Sequence, residues 1–180
     1  MKITMIDTTT KKTKKRAKES ALPSGRRRGE RTPLWRCPRC GHRFVTMNMW
    51  HSCTNHSLAE HFRGKNPGLR KLFDRYLATV RRFGPVTVIP QKTRISFQGR
   101  VRFAGAVVRK NWLEGGVWLT RRDPHPRFFR VEEPVPGCHV HHFRIATVRG
   151  MDAHLRKILR ESYAVGQQGH LSRTRERARK

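Results

Sequence analysis

The sequence predicts an α+β fold: an antiparallel sheet of about five strands with two flanking helices, preceded by a small zinc-knuckle-like element. Three observations predict it. An amphipathic helical segment is followed by several β-rich segments, and a second amphipathic segment comes near the end. No helical pattern separates the β-rich segments, and strands joined by short turns pair antiparallel. The helices are therefore expected to pack against one face of that sheet.

The first helix is predicted to begin at Asn66–Pro67 and to end at Gly84–Pro85. Asn favours the N-cap, Pro is tolerated at the first helical position, and Gly with Pro ends a helix. Between these limits apolar residues recur at spacings of three and four, at Leu69, Leu72, Phe73, Tyr76, Leu77 and Val80. That spacing forms one stripe on a helix of period 3.6. The same argument predicts a last helix from Met151 to about Val165.

The strand signals are short segments rich in β-branched and aromatic residues, VTVIP, RISFQG, VRFAGAVVRK, VWLTRR, FFRVEE and HVHHFRIA. Gly99 is a turn candidate between the second and third segments. Glu114–Gly115–Gly116 is interpreted as the break before VWLTRR, and PVPGC as the break before HVHHFRIA.

The chain is strongly basic, with 41 Lys and Arg against 12 Asp and Glu in 180 residues, a formal net charge of +29. Such a charge indicates an anionic partner, nucleic acid or a membrane surface, rather than a fold. Charge runs and weak apolar periodicity predict disordered basic tails. The predicted organisation is a tail at 1–32, a Cys/His element at 33–62, an α+β domain at 63–170 and a tail at 171–180.

The segment CPRCGHRFVTMNMWHSC predicts a metal site. Cys37 and Cys40 have the spacing of a zinc knuckle, and the following Gly lets the backbone pass close to the sulfurs. His51 and Cys53 are the nearest pair that completes a tetrahedron, with His42 and His56 as alternates. Four protein ligands would make the zinc structural, supplying roughly 10–16 kcal/mol of apparent binding energy to a short segment. The opposing interpretation is a pair of reduced, buried or redox-active thiols.

A second candidate site is a cationic face of the sheet. In PQKTRISFQ, alternation places Lys92 and Arg94 on one face of a strand, where they suit phosphate contacts. Trp118 could stack on bases, as aromatic side chains do in single-strand binders. The candidate anion-binding residues are Lys92, Arg94, Arg109, Lys110, Arg121 and Trp118. The opposing interpretation is a solvated sheet face with its tryptophans in the core.

These segments resemble the bacterial domain-of-unknown-function family 5655. The resemblance runs from about Leu34 to Leu171 and rests on LWRCPRCGHRFVTMNMWHSC, SLAEHFRGK and the segment that contains VIPQKTRISFQ. It implies a compact α+β domain behind a Cys/His element, with Cys37, Cys40, His51 and Cys53 at recurring positions. The family's function is not established, so the resemblance implies no activity.

The leading hypothesis is a cytoplasmic, non-enzymatic nucleic-acid-binding protein that contacts DNA or RNA largely through phosphates. No apolar run approaches about 18 residues and no secretory signal is evident, so neither a transmembrane segment nor export is expected. Acidic residues are too scarce and scattered to favour a metal-dependent nuclease. The alternative is a small-molecule or protein-interaction module with accessory basic tails, its pocket between the first helix and the sheet near Lys92, Arg94 and Trp118.

Overall fold

A computed structural model describes residues 32–49, 51, 53 and 56–171. Apart from Thr32 and Leu171, the predicted basic tails lie outside the described residues. Trp50 also lies outside them. The chain divides into two units between Thr32 and Pro33, and every element below belongs to the second. None of the helices in the described part is long and apolar enough to cross a membrane.

The Cys/His element contains two short strands, β1 (Trp35–Arg36) and β2 (Arg43–Phe44). A 3₁₀ turn at Ala59–Phe62 leads into helix α1 (Gly68–Arg81). Six strands follow: β3 (Thr87–Pro90), β4 (Ile95–Gln98), β5 (Arg102–Val108), β6 (Leu113–Leu119), β7 (Phe128–Val135) and β8 (Cys138–Ile145). A second 3₁₀ turn at Val148–Gly150 precedes helix α2 (Ala153–Gly166).

The six longer strands form one antiparallel sheet in the order β3-β4-β5-β6-β8-β7, which confirms the predicted α+β class. The sheet has six strands rather than about five. The prediction that Gly115–Gly116 breaks the chain was wrong, because both lie inside β6. A Cβ on Gly115 would stand 2.1 Å from the ring of Phe143, so packing against that ring explains the first glycine.

Both helices pack on the same face of this sheet, around a single hydrophobic core. The predicted stripe of α1 is buried along its whole length, and Tyr76 donates a hydrogen bond to the carbonyl of Gly105. Helix α1 begins at Gly68 rather than at Asn66–Pro67, with Pro67 at the N-cap, and the Asn66 side chain accepts a hydrogen bond from the Gly68 amide. Helix α2 begins at Ala153 rather than Met151, because the Asp152 side chain accepts the Leu155 amide and caps it.

The opposite face of the sheet is not covered by either helix. Along β6, Leu113, Val117 and Leu119 point into the core, so Glu114, Gly116 and Trp118 point the other way and are half-buried. The Cys/His element covers the β3–β4 end of this open face, where Gln98 donates a hydrogen bond to the carbonyl of Arg43. The described residues leave the middle of the open face partly exposed.

Candidate metal centre and sheet groove

Three thiols and one imidazole meet beside the open face of the sheet. One ligand atom from each of Cys37, Cys40, His51 and Cys53 lies within 4.8 Å of the other three. The Cys37 and Cys53 sulfurs are 3.9 Å apart, and His51 Nε2 lies 3.1 Å from Cys40 Sγ and 3.3 Å from Cys53 Sγ. In the described part of the chain, this is the one Cys/His/carboxylate cluster that could hold a metal ion.

The first pair of thiols is placed by a tight turn between β1 and β2. The Cys37 amide donates to the His42 carbonyl at 2.8 Å, and the Gly41 amide donates to the Cys37 carbonyl at 2.9 Å. Gly41 has a φ of 73°, the left-handed region that glycine enters without steric cost. The β1–β2 pairing, with Trp35 opposite Phe44, then closes the loop that carries both cysteines.

The electrostatics of the cluster favour a bound cation. Burial raises the pKa of the Cys37 thiol, but the amides of Cys40 and Arg39 donate hydrogen bonds to its sulfur and bring the pKa down to about 6. Burial raises the pKa of Cys53, and the neighbouring sulfurs of Cys37 and Cys40 raise it further. One thiolate therefore forms readily, whereas the crowding of sulfurs opposes a second unless positive charge lies between them.

The His51 ring is oriented by a hydrogen bond to a nearby backbone carbonyl. Its Nδ1–H donates to the Met49 carbonyl at 2.6 Å, which leaves the Nε2 lone pair facing the sulfurs. The alternate His42 lies 3.4 Å from Cys40 Sγ through Nδ1, but it falls outside the four-residue cluster. The other alternate, His56, lies beside Glu60. Phe44 packs on the His51 ring with a centroid separation of 4.4 Å.

The four ligand atoms fit tetrahedral zinc in number and type. Bonds of about 2.3 Å to sulfur and about 2.0 Å to nitrogen place ligand atoms about 3.5–3.8 Å apart in a tetrahedron. The measured 3.9 Å between sulfurs matches this spacing, and the 3.1 and 3.3 Å contacts of His51 need to open by a few tenths of an ångström. Three cysteines with one histidine leave no coordination position for water, as in structural zinc sites.

The middle of the open sheet face forms a groove of about 450 Å³, here called the sheet groove. Its floor follows successive cross-strand partners on four adjacent strands, Ser96, Gly105, Gly116 and His142. Its charged lining comprises four arginines and two glutamates, Arg94, Arg102, Arg109, Arg130, Glu114 and Glu132. Trp118 lines it as well. The groove therefore combines a concave floor, excess positive charge and an aromatic ring.

The cations of the sheet groove differ in their partners. Arg109 pairs with Glu114 at 3.2 Å, and Arg130 pairs with Glu132 at 3.2 Å. Within the described residues, no salt bridge joins Arg94 or Arg102 to a carboxylate. Arg102 is half-buried, and its burial and then the charge of Arg94 lower the pKa of its guanidinium. These two arginines are the groove's available anion-binding groups.

The structure brings together three of the six residues proposed for anion binding, since Arg94, Arg109 and Trp118 line the sheet groove. Lys92 and Lys110 are exposed neighbours of Arg94 and Arg109 in sequence but do not line it. Arg121 is used within the fold, because its guanidinium holds Glu161 at 2.8 Å and Asp123 at 3.0 Å.

The pocket expected between the first helix and the sheet lies instead on the other face. Alternation along β6 explains the correction: Val117 and Leu119 occupy the core, so Trp118 between them faces away from the helices. The floor glycines and His142 were missed from sequence because they come from separate strands whose register was unknown. The one available signal was Gly116 in a segment otherwise rich in strand formers.

His141 illustrates a histidine with a structural role. It is fully buried in β8 on the core side, and its Nε2 accepts the Asp123 amide at 2.8 Å. Burial lowers the pKa of its imidazole, so it stays neutral and fixes the loop after β6 to the sheet.

Comparison with known proteins identifies a family but no characterised relative. No curated protein and no solved structure shows significant similarity to the chain. A family model described as Domain of unknown function (DUF5655) matches residues 58–166, more than half of the chain. The match covers α1, the six-stranded sheet and α2, and it begins after Cys53, so it is narrower than the expected Leu34–Leu171. The Cys/His element precedes the matched domain, and the chain belongs to the DUF5655 family.

Proposed function

We propose that this chain is a non-enzymatic nucleic-acid-binding protein whose sheet groove contacts the nucleic acid, braced by a structural zinc held in the Cys/His element. The observation that carries the proposal is the pair Arg94 and Arg102. Two neighbouring guanidinium groups lack a carboxylate partner in the described structure, and one of them is half-buried. Burying a charge without a partner is unfavourable, so an anionic group in the groove would stabilise both.

The surrounding residues support the same proposal. Arg109 adds a third cation to the groove, and the exposed Lys92 and Lys110 add positive charge close in sequence to Arg94 and Arg109. The formal net charge of +29 adds a long-range attraction toward phosphates. Release of counterions would then supply most of the affinity, with little dependence on base sequence.

Zinc is the metal that the ligand set favours. Thiolate with imidazole in a closed four-coordinate arrangement is typical of structural zinc, and the Cys/His element has little apolar burial of its own. The element covers the β3–β4 end of the open face, and its Phe44 and His51 share a small cavity with Gln98 and Arg102. Zinc would therefore support the wall beside a groove arginine.

The test is a charge reversal under controlled salt. Affinity of the full chain for a labelled oligonucleotide should fall with salt over about 50–200 mM, with a log–log slope near −0.7 per phosphate on single strands and −0.9 on duplex. Arg94→Glu should weaken binding about tenfold and make the slope shallower by about one phosphate contact. Arg75→Glu makes the same charge change on the exposed side of α1 and should have a much smaller effect. A flat salt response would overturn the proposal.

A second candidate function is favoured by the carboxylates in the groove. Glu114 and Glu132 beside the arginines give a mixed polar lining, which suits a zwitterionic or hydrogen-bonding small molecule better than a plain phosphate chain. In that case the chain is a small-molecule-binding module whose basic tails attract nucleic acid separately. Arg94→Glu would then leave oligonucleotide affinity unchanged.

A further inference from the structure

Three glycines line the sheet groove, Gly105, Gly115 and Gly116, and the structure explains the absence of a side chain differently at each. A Cβ on Gly105 would stand 2.6 Å from the backbone oxygen of Ile95, and a Cβ on Gly115 would enter the Phe143 ring. Close packing therefore accounts for both. Gly116 is different: the nearest atom to its Cβ position is His142 Nδ1 at 3.9 Å, an ordinary contact.

The backbone does not require glycine at position 116 either. Gly116 lies in the middle of β6, paired with Gly105 on one side and His142 on the other, and its φ is not positive. Glycine inside a strand is unfavourable and often marks a place where a ligand approaches closely. What a side chain at position 116 would occupy is the sheet groove itself. The groove floor, rather than the fold, accounts for this glycine.

The groove offers two kinds of contact above that floor. Trp118 lies two residues along β6 from Gly116, on the same face and half-buried, so its ring forms an apolar wall. Arg94 and Arg102 supply cations without a carboxylate partner in the described part of the chain. A nucleotide carries both complements, a flat base and a phosphate. Single-strand binders combine the same two features, aromatic stacking and a positive groove.

The size and shape of the groove favour a single strand over a duplex. A volume of about 450 Å³ falls within the range of small-ligand sites and suits one nucleotide unit. A duplex keeps its base faces inside the stack and presents phosphates along a rod, so it could reach the exposed Arg94 but not the wall formed by Trp118.

We infer that the sheet groove takes one nucleotide unit of a single-stranded nucleic acid, with the base on Trp118 above Gly116 and a phosphate at Arg94 and Arg102. This inference rests on the proposed function and specifies its substrate class. It assigns Gly116 a role in ligand access that the fold does not demand. Filling the floor should therefore block the ligand while leaving the sheet intact.

The experiment uses the full chain and Gly116→Val, with a labelled oligo-dT of about 12 nucleotides and a duplex of similar length. The wild-type chain should bind the single strand at least about tenfold more tightly than the duplex at matched salt, as stacking of even one base predicts. Gly116→Val should bring the ratio of single-strand affinity to duplex affinity close to one. Its melting temperature should equal or exceed that of the wild type, because valine favours strands. Thr87→Val in β3, outside the groove lining, is the control.

Trp118→Leu provides a second route that leaves the floor unchanged. It keeps an apolar side chain but removes the ring, so the single-strand preference should fall about tenfold. Competition with thymidine monophosphate separates a strand from a free nucleotide, and the oligonucleotide should compete at least about tenfold better. Equal competition would overturn the assignment of a strand.

The outcomes separate this inference from the proposed function. In one outcome, binding is salt-sensitive and Arg94→Glu weakens it, but Gly116→Val and Trp118→Leu leave it unchanged. That result would overturn the assignment of the groove and retain nucleic-acid binding. Absence of binding to either oligonucleotide would overturn both. Loss of single-strand preference in Gly116→Val and Trp118→Leu, with melting temperatures maintained, would support the inference.

Discussion

The Cys/His element and the domain behind it differ in how many side chains they bury. Among the described residues from Thr32 to Cys53, Cys37 alone is buried, whereas 21 buried hydrophobic residues form the core of the domain. Hydrophobic burial can stabilise the domain without help, but a hairpin with one buried side chain cannot offset its conformational entropy. One chain can thus combine two sources of order, apolar burial and metal binding, and each should respond to a different perturbation.

Metal removal should give the largest effect, confined to the Cys/His element. We expect about one zinc per chain, and Cys40→Ser or a strong chelator should release it because a structural site contributes roughly 10–16 kcal/mol of apparent binding energy. Elemental analysis measures the metal, and amide hydrogen exchange measures order. Exchange should accelerate across residues 33–53 and stay protected in α1.

The control for this experiment is Cys138→Ser, which changes a thiol outside the metal cluster. It should leave both metal content and exchange unchanged. An ordered Cys/His element in metal-free protein would show that metal is not its source of order and would favour reduced or redox-active thiols at Cys37 and Cys40.

A core truncation should give the converse result. Phe73 is fully buried between the rings of Phe62 and Phe97, so Phe73→Ala should lower the free energy of unfolding of the domain by about 3–5 kcal/mol. Urea denaturation followed by far-UV circular dichroism measures the loss. Arg75→Ala, on the exposed side of the same helix, should cost far less. Zinc content under native conditions should not change, and parallel loss of metal and stability would show that the two regions are one cooperative unit.

A smaller effect is expected at the start of α2. Asp152 accepts the Leu155 amide and pairs with Arg127 at 2.7 Å, so Asp152→Ala should lower stability at neutral pH by about 1–2 kcal/mol. Burial raises the pKa of Asp152, but the hydrogen bonds from Arg127 and Leu155 outweigh it and lower the pKa below its ordinary value. The stabilisation is therefore present above about pH 4 and lost as pH falls through the lowered pKa.

Thermal melts at several pH values check this prediction. The difference between wild type and Asp152→Ala should be constant at neutral pH and shrink toward pH 3 as the wild-type carboxylate is protonated. A difference that persists unchanged in acid would mean that the cap and ion pair are not its source.

The smallest effect is expected where the two regions meet. Gln98 donates to the carbonyl of Arg43, so Gln98→Leu should leave that carbonyl without its donor at a cost of about 1 kcal/mol. Zinc transfer to a competing chelator should then be about fivefold faster, with little change in the melting of the domain. Unchanged transfer would show that the Cys/His element holds its metal without help from the sheet.

The sequence predicted most of the fold because local signals agree with it. The stripe from Leu69 to Val80 is one helix, and the Cys37/Cys40 knuckle lies in a cluster that could hold a metal. Predictions failed where the role of a residue depends on its packing against another strand or on the face of the sheet to which it belongs. Gly115 looks like a turn until the Phe143 ring is placed against it, and Trp118 cannot be assigned to a face until the strand is extended back to Leu113. The sheet groove is a product of register, which local sequence does not specify.

The decisive measurement is nucleic-acid binding by the folded unit without the predicted basic tails. Residues 33–171 should bind a single-stranded oligonucleotide at about 50 mM salt, with a shallower salt slope than the full chain, and Arg94→Glu should remove most of that binding. If the full chain binds and residues 33–171 do not, the tails carry the affinity and the sheet groove serves another ligand.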